Sequence, residues 1–111
     1  MDSKAIDWEQ IPEMAMPVVS GTVLRRFLSG EKLTVARVAF ATDSEMAVHS
    51  HENEQFTLVL SGTMEFTVDG KSVIVREGEV LHLPSNVPHG AKSQGEAVVL
   101  DVFAPIRADW Q

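Results

Sequence analysis

His49-Ser50-His51-Glu52-Asn53-Glu54-Gln55-Phe56-Thr57-Leu58-Val59-Leu60-Ser61-Gly62 opens with two histidines two residues apart and ends, after a β-branched and apolar run, at a turn glycine. Within a strand, side chains at i and i+2 share a face, so extended backbone here sets the two imidazoles side by side, able to chelate one ion. Counting on in the same parity brings Gln55 to that face and turns Glu54 away, unless a bulge intervenes. Gln55 therefore ranks ahead of Glu54 as a fourth ligand. The opposite face carries Phe56, Leu58 and Leu60, more apolar than a solvated outer face requires. Sheet packing in a homodimer would cover it; so would a second sheet or an N-terminal arm.

On either side of this stretch, short β-branched runs alternate with turn residues from Val18 onward, the pattern of an all-β sandwich or closed barrel. Strands are expected near Thr22 to Leu28, Leu33 to Phe40, Gln55 to Ser61, Met64 to Val68, Lys71 to Val75, Val80 to Leu83, Gly90 to Ser93 and Val98 to Ala104. Ser29-Gly30, Ser61-Gly62 and Asp69-Gly70 read as tight turns, with Asp69-Gly70 the clearest hairpin. Pro12 and Pro17 argue against a central strand, so residues 1–17 read as an extended arm that packs on a neighbour or a partner subunit, ahead of one β-barrel domain over residues 18–111.

A closed barrel also brings distant strands together, and Pro84 and Pro88 stiffen the turn before His89, which can complete a set with His49, His51 and Gln55. His82 has no partner at ligand spacing and reads as a structural or supporting residue. In the last apolar run Asp101 and Phe103 share a face, and Arg107 follows just beyond Pro105. A carboxylate, an aromatic ring and a guanidinium together describe a site for an acidic sugar: the first moves a proton, the second packs on the ring, the third clamps a carboxylate. A solvated aspartate, a core phenylalanine and a surface arginine are the plainer alternative.

Composition bounds the remaining choices. The 111 residues leave room for one domain, and with 44% hydrophobic and 23% charged residues the chain reads as an ordinary globular protein. A net charge of −7 with no basic run argues against nucleic acid and anionic membrane partners. Charges in the first ten residues and the lack of a long apolar run lead to the expectation of a cytoplasmic protein. With no cysteine, a metal must be held by imidazole, amide or carboxylate.

The stretch from His49 to Gly62 resembles the first cupin motif, and Gly78-Glu-Val-Leu-His-Leu-Pro-Ser-Asn-Val-Pro-His-Gly90 resembles the second, with Gly78, Pro84 and His89 at the expected separations. The chain departs from the family's pattern in having Gln55 where glutamate is usual and Asn86 where glycine is frequent. The resemblance implies a single-domain jelly-roll barrel over about Val18 to Ala104 with one divalent metal ion in its mouth. Neutral ligands leave that ion its full charge and favour Lewis-acid over redox chemistry. Three imidazoles and an amide suit zinc, nickel, iron and manganese nearly alike.

Leu100-Asp-Val-Phe-Ala-Pro-Ile-Arg-Ala-Asp-Trp110, following those motifs, is further similar to the small pectin-degradation cupins that convert 4,5-unsaturated uronates from pectin or alginate into linear ketouronates. That likeness implies Asp101 as the proton-transfer residue, with Phe103 and Arg107 holding the sugar and its carboxylate. Two rival readings are a non-catalytic or regulatory cupin that binds a small acid or sugar, and an iron-dependent oxygenase of small organic acids.

Overall fold

In the computed structural model, which describes residues 3–111, eight strands account for most of the chain: β1 (Met14–Ala15), β2 (Val23–Ser29), β3 (Thr34–Phe40), β4 (Glu45–His49), β5 (Glu54–Val68), β6 (Lys71–Arg76), β7 (Val80–Leu83) and β8 (His89–Ala104). All pairings are antiparallel, in the order β1-β2-β3-β8-β5-β6, with β4 on β8 and β7 on β5. This is the expected jelly roll. Among the described residues no helix is long and apolar enough to cross a membrane.

The architecture turns on β5 and β8, which pair along nearly their whole lengths, from Glu54↔Ala104 to Val68↔His89. One half of β8 takes β3 on its other edge, and the other half takes β4. The strand expected to end at Ser61-Gly62 therefore continues to Val68, and the two runs expected at Gly90 to Ser93 and Val98 to Ala104 are one strand. Gly62 is a bulge and not a hairpin turn: its φ is 81°, and the register shifts between Val59 and Thr63. A side chain there would collide with Glu96 O at 2.3 Å and Ala97 Cα at 2.9 Å, so only glycine permits this close crossing. The extra β5 residue between Val59 and Ser61 reverses the facing of the strand, while opposite Gly62 it is β8 that carries the extra residues. Before the reversal Gln55, Thr57 and Val59 are buried; beyond it Met64 and Phe66 are.

The core follows from the same alternation. In β3, Thr34, Ala36, Val38 and Phe40 are buried while the residues between them are not. Ala36, Val38 and Phe40 meet Val23, Val59, Met64, Phe66, Val75, Val99 and Phe103 in one cluster. Asp69 and Gly70, both with positive φ, close the two-residue hairpin between β5 and β6, as expected of that pair. The first segment packs on its own barrel. Arg26 donates from Nη1 to the carbonyls of Trp8 and Ile11, and Met14 and Ala15 pair with β2.

Candidate functional site

Two cross-strand pairs and one turn build the site. His49, the last residue of β4, and His89, the first of β8, are direct partners across the ladder, with ring centroids 4.5 Å apart. His51 reaches them by another route than shared strand parity, because residues 50–53 form the connection from β4 to β5. Its ring lies 5.7 Å from that of His49 and 4.9 Å from that of His89. Each of the three offers one nitrogen, and these atoms lie within 4.8 Å of one another, a grouping that can hold a metal ion.

The rings are oriented alike. Nδ1 of His49, His51 and His89 lies 3.0, 2.9 and 2.9 Å from the backbone carbonyls of Ala47, Asn53 and Val87. A carbonyl only accepts, so Nδ1 carries the proton and Nε2 of each neutral ring is left with a bare lone pair. Burial lowers the pKa of His89 to about 4, and burial together with the Arg107 guanidinium lowers that of His51. Both shifts favour the neutral imidazole, the form that binds a metal.

Gln55 is buried on β5, pointing into the barrel, while Glu54 faces outward and contacts His82 at 2.6 Å. His82 also stacks on Phe56, so it belongs to the outer surface and not to the ligand cluster. Gln55 Oε1 lies 3.0 Å from His51 Nε2, and its Nε2 donates to Thr57 Oγ1 at 2.8 Å. Two acceptor atoms thus face each other, a repulsive arrangement that a cation between them would relieve. On this ground the donor set fits a metal ion.

Thr57 is fully buried and sits opposite Asp101 across the β5–β8 ladder; its hydroxyl donates to Asp101 Oδ1 at 2.6 Å. Burial raises the Asp101 pKa to about 6 against the lowering effect of that hydrogen bond. Asp101, Gln55, His49, His89 and Arg107 line a single cavity. Phe103 forms its wall and is a core residue, 2% exposed, in T-shaped contact with His51 and Trp110. Arg107 is buried over Phe103 and Trp110, and its Nε and Nη2 donate to Asp109 at 3.0 and 2.9 Å.

Three further residues near the site stand outside the expected set. Thr57 shares the parity of Gln55, so strand alternation alone could have found it. Asn53 holds His51 with its carbonyl, and its side-chain amide donates to Pro105 O and Ile106 O at 2.6 and 3.0 Å. Trp110 lines the cavity with Arg25 and Arg107 over its ring at 4.0 and 4.2 Å.

Comparison with known proteins agrees with this geometry. The cupin domain model matches residues 36–103, from the middle of β3 almost to the end of β8. A curated relative, the pectin degradation protein KdgF of Dickeya dadantii, is 30% identical over 82 residues, 72% of this chain and 74% of that protein. An RmlC-like cupin from Shewanella frigidimarina superposes with a TM-score of 0.86 at 25% identity, covering 99% of this chain and 97% of that one. KdgF from a Halomonas species superposes with a TM-score of 0.83 at 24% identity over the whole of both chains. A jelly roll whose paired motif histidines converge at its mouth, matched by that domain across most of its strands, makes this chain a member of the cupin family.

Proposed function

We propose that this protein is a metal-dependent enzyme that linearises 4,5-unsaturated uronates, with His49, His51, His89 and Gln55 holding one divalent ion and Asp101 moving the proton. The observation that carries this reading is that Asp101 and Arg107 line the same cavity as His49, Gln55 and His89. The 30% identity to a pectin degradation protein supports the substrate class. When bound, the ion supplies Lewis-acid polarisation of a substrate oxygen.

The reaction balances as an isomerisation. The anomeric hemiacetal opens to an aldehyde, and the former ring oxygen remains on C5 as an enol. Asp101 delivers a proton to C4, the double bond moves to oxygen as a ketone, and the enol hydroxyl gives one proton back. A carboxyl held out of bulk water and oriented by the Thr57 hydroxyl suits that exchange. Arg107 spends its Nε and Nη2 hydrogens on Asp109, which leaves the outer edge of its fork for the substrate carboxylate. Phe103 and Trp110 wall the cavity against water.

The test is metal-loaded protein with an unsaturated monouronate, followed by loss of the ultraviolet absorbance of its conjugated double bond. Wild type is expected to consume it without oxygen. Asp101→Asn is expected to retain metal and lose turnover by at least about a hundredfold. Unchanged rates in that variant, or binding without loss of the double bond, would remove the assignment.

A further inference from the structure

Thr57 makes a second contact, to Gln55, that the reaction above does not use. It is fully buried, it is two residues from Gln55 on the same face of β5, and it is the cross-strand partner of Asp101. A threonine hydroxyl has one proton to give. Here Asp101 Oδ1 takes it at 2.6 Å, so Oγ1 faces Gln55 as an acceptor, 2.8 Å from the amide nitrogen. A primary amide can sit either way round in a slot of this shape, and only one way presents oxygen to the imidazoles. The opposite orientation would turn N–H hydrogens toward His51 Nε2 and exclude a cation.

We infer that Thr57 is a positioning residue for the metal: by donating to Asp101 and accepting from Gln55, its hydroxyl holds the Gln55 amide with oxygen toward the three histidines. The inference rests on Gln55 being a ligand, as proposed above. An amide ligand needs this support more than a carboxylate would, because both oxygens of a carboxylate are donors to a metal and reversal changes nothing. The same hydroxyl fixes Asp101 Oδ1, so one O–H group sets the geometry of both the ligand and the proton carrier.

The experiment uses zinc-loaded protein challenged with a graded series of chelators, with retained zinc measured by atomic emission. Thr57→Val keeps the shape and removes the hydroxyl, and is expected to release zinc at roughly ten- to a hundredfold lower chelator strength. Thr57→Ser is expected to hold zinc nearly as wild type. Gln55→Leu should weaken retention at least as much as Thr57→Val, and the double variant should be no weaker than Gln55→Leu alone, since Thr57 acts through Gln55. Wild-type retention in Thr57→Val with weakened retention in Gln55→Leu would overturn the inference and leave the ligand set standing. Equal loss in Thr57→Val and Thr57→Ser would also overturn it, by showing that packing and not the hydroxyl matters. Wild-type retention in Gln55→Leu would remove the ligand reading itself. Thermal unfolding of each metal-free variant separates loss of retention from loss of fold.

Discussion

The side-chain amide of Asn53 donates to the carbonyl oxygens of both Pro105 and Ile106, at 2.6 and 3.0 Å, and so ties the turn that carries His51 to the tail that carries Arg107. Its own backbone carbonyl meanwhile fixes the His51 ring. One residue thereby couples the candidate metal centre to the candidate carboxylate clamp. Asn53→Ala removes both hydrogen bonds of a buried side chain and is expected to cost about 1–3 kcal/mol. If the uronate reading holds, KM should rise more than kcat falls, because Arg107 loses its anchor. Urea unfolding and steady-state kinetics measure the two effects, and an unaltered KM would separate the tail from substrate binding.

Gly62 is the second sensitive point. With φ at 81° and Glu96 O only 2.3 Å from any added Cβ, Gly62→Ala must both adopt a left-handed backbone and push β8 away. A loss of about 2–4 kcal/mol is expected, read as a lower urea midpoint. Gly70→Ala shares the positive φ but meets nothing within 4 Å, so it should cost less, about 1 kcal/mol. Equal losses in the two would show that crowding at the bulge is unimportant.

In chelator-treated protein, His89 and Asp101 pull stability in opposite directions across mildly acid pH. The His89 pKa falls from 6.5 to about 4 on folding, so the unfolded chain binds more protons in that interval and stability is lost as pH drops through it. The Asp101 pKa rises from 3.8 to about 6, so its contribution is complete below 3.8 and is lost as pH climbs through 6. Lowering of the His51 pKa acts in the sense of His89. The wild type should therefore vary little between pH 4 and 6. Asp101→Asn removes the falling contribution, and its unfolding free energy should climb over the same range by on the order of 2–3 kcal/mol. Parallel curves for the two proteins would contradict this.

The outer face of β5 and β7 presents Phe56, Leu60 and Val80 at 44, 47 and 55% exposure. Among the described residues neither the N-terminal segment nor another part of the sheet covers them. A second copy packing there is the proposed arrangement, and light scattering is expected to give twice the chain mass. Phe56→Ser combined with Val80→Ser should shift that mass toward one chain without disturbing metal retention, since both side chains point away from Gln55. A monomeric wild type would dismiss the arrangement.

The histidine cluster was legible because its members sit in short motifs whose spacing survives folding. Residues 50–53 nevertheless leave the strand, so His51 joins the cluster through a turn and a hydrogen bond to Asn53, not through the i, i+2 geometry that its spacing suggests. Gln55 and Glu54 fell on the expected sides because β5 begins at Glu54 and alternates from there. Strand β4 is not legible in the sequence: Glu45–His49 includes Ala47 and has little buried apolar surface to mark it. The lengths of β5 and β8 were also hidden, since a glycine that ends a hairpin strand and one that kinks a continuing strand look alike in sequence. Contacts made across the barrel, such as Asn53 with Pro105 or Thr57 with Asp101, have separations of 52 and 44 residues, and no local pattern encodes them.

The reversal of facing between Val59 and Met64 bears on how such a barrel can vary over time. Deleting one residue between Val59 and Met64 would restore unbroken alternation along β5, and either Gln55 and Thr57 or Met64 and Phe66 would then be turned to the outside. Point replacements can therefore accumulate on both halves of the strand independently, whereas a single-residue gain or loss between Gln55 and Phe66 sets the chemical end of the barrel against its structural end.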